Sequence, residues 1–216
     1  MAAWTRWGMA LAALLLASGA GGRALTLDDV AREGELRLLA ERPDPQGYGY
    51  TARVHIDESS LRDGVVRMQT CHLRLDPNPR VVVLFNRERV QSIDIVRAEG
   101  VERAWVEGNR VELAQVQRGA TVCIDLRSRA LDAVAPGRWR LHAGPLMRRY
   151  LDGFLPMDAE LAVSWPAGLL AVTAVEPAPQ PGVRLVTHDD GAQLHITFAG
   201  RLSARWELQR AGGGQP

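Results

Sequence analysis

Residues 48–57 read YGYTARVHID, and this stretch is the clearest indication of the fold class. Apolar side chains occupy its even positions, and from Thr51 onward polar side chains occupy the odd ones. Successive side chains of a β-strand point to opposite faces of a sheet. Strict alternation therefore predicts a strand that buries one face and exposes the other.

Similar strand-like runs recur along the chain after this stretch. They are GVVRMQTCHLRL at 64–75, RVVVLFN at 80–86, SIDIVRAE at 92–99, VERAWVEGNRVELA at 101–114, TVCIDLR at 121–127, AELAVSW at 159–165, GLLAVTAVE at 168–176, GVRLVTH at 182–188, AQLHITFAG at 192–200 and LSARWEL at 202–208. Gly108 and Asn109 form a favoured two-residue hairpin turn within one run. Ten to twelve short strands at this spacing predict an all-β, mainly antiparallel protein of the β-sandwich type.

One stretch departs from the alternation, GPLMRRYLDGFLP at 144–156. Its apolar residues fall in pairs four positions apart, which is typical of one helical face. Proline suits the first turn of a helix, and Gly153 suits its end, so we predict a short helix over 145–153. Its polar face would present Arg148, Arg149 and Asp152 as a contact site.

Trp139 is a further interface candidate, because it lies between Arg138 and Arg140 and has no obvious partner for burial. Aromatic and arginine side chains are enriched among the residues that dominate binding interfaces. The competing interpretation is a strand residue packed beneath a loop, and the sequence favours that structural role.

The strand pattern allows two domain arrangements. In the first, a β domain at 25–135 and a second at 136–209 meet at the predicted helix, and 210–216 is a disordered tail. In the second, one larger sandwich takes strands from both halves. We favour two modules, because both cysteines lie in the first half.

Residues 1–24 have the organisation of a secretory signal peptide. Arg6 precedes an apolar run over 9–17, and small residues permit cleavage after Ala20 or Ala24. The run is shorter than the ~20 residues that a membrane-spanning helix needs. No second long apolar segment follows, so we expect an exported mature chain, periplasmic or extracellular, without a membrane span.

The two cysteines, Cys71 and Cys123, are predicted to form a disulfide, as an even pair in an exported protein usually does. The alternative is a reactive thiol with His72 as its base. Adjacent residues of a strand point to opposite faces, which argues against that pairing.

The charge balance argues against nucleic acid as a partner. The chain has 26 basic residues, all arginine, and 25 acidic ones. Removal of the leader, with Arg6 and Arg23, leaves 24 basic residues and a nearly neutral mature chain. Proteins that bind nucleic acid normally carry a strongly basic surface.

The best candidate metal site is the segment THDDGAQLHI at 187–196. With a turn at Asp190 and Gly191, His188 and His195 would lie diagonally on one strand face, about 7 Å apart, with Asp189 nearby. The simpler interpretation is a solvated hairpin face, and we predict no cofactor. His55, Asp57 and the serines after them could supply a hydrolase triad, but no motif of a nucleophile elbow or a zinc helix accompanies them.

Two functions follow from these observations. The first is an exported, non-enzymatic protein of the bacterial envelope that binds or assembles another envelope protein or an extended polymer. Such proteins use sheet edges or grooves to bind extended partners. The alternative is a small secreted hydrolase or metal-dependent enzyme that uses either His188 and His195 or His55 and Asp57.

Overall fold

The computed structural model describes residues 34–150 and 153–212. The predicted signal peptide and the last four residues of the predicted tail lie outside these ranges. Within them the chain forms seventeen strands and one short helix. These are β1 Arg37–Leu38, β2 Gly49–His55, α1 Glu58–Asp63, β3 Val65–Leu75, β4 Asn78–Leu84, β5 Val90–Glu99, β6 Arg103–Glu107, β7 Arg110–Val116, β8 Ala120–Arg129, β9 Leu131–Ala135, β10 Arg138–Leu146, β11 Arg148–Tyr150, β12 Gly153–Leu155, β13 Met157–Ser164, β14 Leu170–Glu176, β15 Val183–His188, β16 Gly191–Ala199 and β17 Leu202–Arg210.

The all-β, mainly antiparallel, sandwich-like prediction is confirmed. The largest sheet has eight strands in the order β1-β16-β13-β2-β3-β8-β5, with β15 also paired to β16. A four-stranded sheet has the order β14-β17-β10-β9, and β4-β7-β6 form a three-stranded sheet. Buried apolar residues from these sheets join in one hydrophobic cluster.

The stretch at 48–57 buries one face and exposes the other, as its alternation predicts. Tyr48, Tyr50, Ala52 and Val54 are buried on the inner face, whereas Arg53 is exposed on the outer face. Burial of each large apolar side chain contributes roughly 1.5–3 kcal/mol to the free energy of unfolding, which fixes the register of β2 in the sheet.

The predicted division after residue 135 does not follow the sheets. β2 pairs in parallel with β13, so the largest sheet contains strands from both sides of the boundary. The boundary also separates β9 from β10, which are antiparallel neighbours. Sequence patterns report which face of a strand is buried, but not which strand lies beside it, and the long-range partner of β2 was therefore not visible.

The predicted helix over 145–153 is wrong. The stretch forms the end of β10 followed by the two short strands β11 and β12, in which Arg148 pairs with Leu155 and Tyr150 with Gly153. Gly153 has φ 111°, a left-handed conformation that a right-handed helix cannot include. Pairing between the two short strands overrides the helical spacing of the apolar residues in this stretch.

The sequence also concealed β9, β10 and α1. β9 and β10 occupy a region whose alternation is interrupted, and α1 begins at an unrecognised cap. The Asp57 side chain accepts the backbone N–H of Ser60, and the Ser60 hydroxyl accepts the backbone N–H of Asp57, which completes a capping box.

The beginning of the predicted tail is ordered in strand β17. Arg210 is the last residue of this strand, and its guanidinium forms two hydrogen bonds with Glu58 at 3.1 and 2.9 Å. Among the residues that the structure describes, no helix has the length and apolar character needed to cross a membrane.

Candidate functional site

The outer face of the largest sheet carries two adjacent rows of polar side chains. The first, which we call the arginine row, runs across four strands through His55, Arg67, Arg127 and Ser92. The second, the aspartate row, runs through Arg53, Gln69, Asp125 and Asp94. Each member is two positions from its neighbour in the other row, so both rows project to the same side.

A depression of about 370 Å³ lies over the two rows. All eight residues of the rows line it. The depression is therefore lined by both positively and negatively charged side chains, and it can contact a partner that carries both charges.

Each row contains a pair of like charges on directly opposed residues. Arg67 faces Arg127, and Asp125 faces Asp94. The Cα atoms of the opposed Cys71 and Cys123 are 4.1 Å apart, which identifies the close, non-hydrogen-bonded kind of antiparallel pair. Hydrogen-bonded and non-hydrogen-bonded pairs alternate along an antiparallel ladder, so Arg67 and Arg127, four positions from the cysteines, also form a close pair. Like charges on directly opposed residues destabilise a sheet.

These charges have few partners within the described part of the chain. Arg67 lies 3.6 Å from a carboxylate oxygen of Asp57, and Gln69 donates a hydrogen bond to Asp125 at 2.9 Å. Among residues 34–150 and 153–212, Arg53, Arg127 and Asp94 form no ion pair within 4.0 Å. The rows therefore hold charge that is available to a ligand.

The depression reaches the edge of the sheet, which is formed by β5. This strand has ten residues and pairs with β8 on one side. Two register shifts in its pairing mark Gln91 and Val96 as extra residues, so regular pairing extends over 92–95 between two bulges.

The backbone of Ile93 points outward from this edge. Asp125 of β8 and Gln69 of β3 form a close, non-hydrogen-bonded pair, so the backbone N–H and C=O groups of Asp125 point away from β3 and toward β5. Asp94 of β5 lies opposite Asp125 and therefore exchanges backbone hydrogen bonds with it. The neighbouring Ile93 then directs its N–H and C=O groups away from β8. An exposed edge of this kind can bind an additional strand.

The hydrolase hypothesis requires His55, Asp57 and Ser59 to act together. In the structure, Asp57 instead caps the N-terminus of α1. Its carboxylate accepts the Ser59 hydroxyl and the Ser60 backbone N–H, and these hydrogen bonds hold its pKa far below the ordinary value. The ring Nδ1 of His55 lies 3.2 Å from the hydroxyl of Ser164.

The predicted metal residues are not brought together. The hairpin turn lies at Asp189 and Asp190, because His188 pairs with Gly191, and the predicted turn one residue later is wrong. His195 instead lies opposite Arg184, four positions along the strand from Gly191. Within residues 34–150 and 153–212, no group of three or more His, Cys, Asp or Glu side chains is arranged to hold a metal ion.

His195 takes part in a different cluster, centred on Asp158. One carboxylate oxygen of Asp158 lies 3.0 Å from His195 Nε2 and accepts the Thr197 hydroxyl at 2.9 Å. The other oxygen lies 3.3 Å from Arg42. Through Arg42, these contacts hold the segment that precedes β2 against strand β13 of the largest sheet.

Arg148, predicted to be exposed, is mostly buried. It forms an ion pair with Asp76, donates a hydrogen bond to the Pro156 carbonyl at 3.1 Å, and lies 5.2 Å above the ring of Tyr48. Arg149 is exposed and lies 5.5 Å from the ring of Phe154, and Asp152 falls outside the described residues. The three residues do not form the predicted helical face.

Beneath Arg148 lies a buried aromatic and polar cluster on the inner face. The Tyr48 hydroxyl is 2.7 Å from His72 Nδ1, and the ring of Tyr50 meets the imidazole edge to face at 5.3 Å. Burial lowers the pKa of His72 to about 4 and raises the pKa of both tyrosines. The Nε2 atom of His72 is buried without a hydrogen-bond partner among the described residues.

Trp139 is buried, with 8% of its surface exposed. Its indole N–H donates a hydrogen bond to the carbonyl of Leu61 at 3.1 Å, which joins β10 to α1. The interface hypothesis for Trp139 is therefore wrong, and the structural interpretation holds.

Replacement of Trp139 by phenylalanine tests this role. We expect Trp139→Phe to lower the free energy of unfolding by about 1 to 2 kcal/mol, because the Leu61 carbonyl loses its donor in a buried position. The measurement is urea unfolding followed by circular dichroism. Trp105→Phe, at a partly exposed site, is the control, and an equal effect of both changes would contradict the assignment.

The disulfide prediction is confirmed in geometry, since Cys71 and Cys123 lie opposite each other in adjacent strands and are bonded. Sequence reasoning missed the two rows. The parity of Arg53, Arg67, Asp94 and Arg127 on polar faces was visible, but the order of β2, β3, β8 and β5 that aligns them was not.

No family model matches the chain. No curated protein matches it either. Among solved structures, it is similar to a mutant of the M1 zinc metallopeptidase from Deinococcus radiodurans, at 13% identity and a TM-score of 0.43, with 81% of this chain and 42% of that one covered. Another structure of that metallopeptidase gives 13% identity, a TM-score of 0.40 and the same coverage. The chain thus spans less than half the length of these structures.

Proposed function

We propose that this chain is an exported, non-enzymatic protein of the bacterial envelope that binds an extended segment of another envelope protein along β5. The observation that carries the proposal is the unpaired outer edge of β5 within the described part of the chain, with the Ile93 backbone groups directed outward. The disulfide is compatible with an extracytoplasmic compartment.

Strand addition supplies affinity through backbone hydrogen bonds, and side-chain pockets supply specificity. The two bulges define a window of four regular residues over 92–95. A bound segment would exchange two hydrogen bonds with Ile93, and its alternate side chains would lie over the depression beside the edge.

A neutral peptide, acetyl-Ser-Thr-Thr-Val-Thr-Thr-Ser-amide, tests the backbone interaction. We expect it to slow hydrogen exchange of the Ile93 amide, and we expect methylation of the nitrogen of its central valine to weaken binding about tenfold, as loss of one hydrogen bond would. Titrations followed by NMR measure both effects.

The methylated peptide is the matched control, because it keeps the side chains and loses one donor. Unchanged exchange at Ile93 with saturating peptide, or equal affinity of the two peptides, would contradict strand addition at β5.

A further inference from the structure

We infer that the two charged rows select the side chains of the bound segment. A basic residue of the segment lies beside Asp94 and Asp125. An acidic residue two positions along the segment lies beside Arg127 and Arg67. This inference rests on the proposed function, since it specifies the partner of the same edge.

The spacing of the rows matches the repeat of an extended chain. The rows are two residues apart on every strand, which corresponds to about 6.6–6.8 Å. An extended segment presents alternate side chains on one face with the same repeat. One segment alongside β5 therefore places two of its side chains in register with the two rows.

The position opposite Asp94 favours a basic residue. Asp94 is exposed at the edge, and Asp125 lies directly behind it on β8. Two carboxylates side by side repel each other, and an ammonium or guanidinium group between them relieves that repulsion.

The position opposite Ser92 favours an acidic residue. Ser92 has a small side chain, so the longer side chain of Arg127 can extend across it toward the edge. Arg67 lies behind Arg127 on β3. The planar guanidinium binds a carboxylate through two parallel hydrogen bonds, and a carboxylate beside the pair offsets its like charges.

The residue between these two positions faces the opposite side, toward the core. It lies opposite Ile93, which is partly buried and packs against the hydrophobic cluster. An apolar side chain fits there. The segment that the edge selects is thus basic, apolar and acidic in an antiparallel orientation, or the reverse order in a parallel one.

The test compares three peptides of equal length at low salt. The first is acetyl-Ser-Thr-Lys-Val-Glu-Thr-Ser-amide, the second is the neutral peptide used above, and the third is acetyl-Ser-Thr-Lys-Glu-Val-Thr-Ser-amide, whose charges point to opposite faces. We expect the first to bind about tenfold more tightly than the other two, and added sodium chloride to reduce this gain.

Two protein variants assign the gain to the rows. Arg127→Gln and Asp94→Asn should each remove most of the ratio by which the first peptide binds more tightly than the neutral peptide, with both affinities measured for each variant. Arg184→Gln, on β15 at the far side of the sheet, is the matched control and should change neither. Because the substituted residues are exposed and two of the changes remove one charge of a like-charged pair, the variants should be no less stable to heat than the wild type.

The outcomes separate the two proposals. Equal affinity for all three peptides, or a gain that survives both variants, would overturn the charge selection while binding at the edge stands. Failure of every peptide to affect the Ile93 amide would overturn the proposed function and the charge selection together.

Discussion

Removal of the disulfide, by Cys71→Ala with Cys123→Ala, is expected to lower the free energy of unfolding by about 4 kcal/mol. The bond closes a loop with a sequence separation of 52, and in the chain-entropy model most of its effect is to restrict the unfolded chain. The two strands remain paired in the variant, so the native sheet should persist while its stability falls. Urea unfolding at pH 7 measures the difference.

A reduced wild-type protein should match the double variant, because both lose the same constraint. Thr51→Ala, on the outer face beside Cys71, is the control for loss of a small polar group and should change stability by less than about 0.5 kcal/mol. A double variant as stable as the oxidised protein would show that the unfolded chain is already restricted by other contacts.

Acid is expected to destabilise the protein through His72. Its pKa is about 4 in the folded state and 6.5 in the reference state, so the unfolded chain binds the proton more tightly. Stability owed to the neutral ring is therefore complete above pH 6.5 and falls as the pH decreases toward 4. The shift corresponds to a loss of about 3 kcal/mol over this window.

The His72→Gln variant tests this expectation, because glutamine keeps a polar group beside the Tyr48 hydroxyl without titrating. Between pH 7 and pH 4.5 the variant should lose less stability than the wild type, by about 2 kcal/mol or more. His188→Gln, at an exposed position of β15, should follow the wild type. Parallel pH profiles for wild type and His72→Gln would contradict the assignment.

Side-chain alternation predicted the strands well because it depends on local geometry. The buried face of β2 was accessible in this way, and the hairpin at Gly108 and Asn109 followed from its turn residues. The disulfide followed from the even number of cysteines in a chain predicted to be exported. Local spacing failed where strand pairing overrode the helical pattern, as in β11 and β12.

The candidate site could not be predicted because it depends on strand order. Arg67 and Arg127 are 60 positions apart in sequence (127 − 67) and become neighbours through the pairing of β3 with β8. The hydrogen-bond acceptor of Trp139 could not be predicted for a related reason, since the Leu61 carbonyl lies on a helix that the sequence did not reveal.

The parallel pairing of β2 with β13 has a consequence for how the chain folds. Gly49 lies beside Asp158, so the contact closes a loop of 109 positions (158 − 49). Contacts of this separation form late, because the entropy of a long loop must be overcome before they contribute. The strands before residue 135 therefore leave one side of β2 unpaired until β13 has been synthesised, and only then can the sheet be completed.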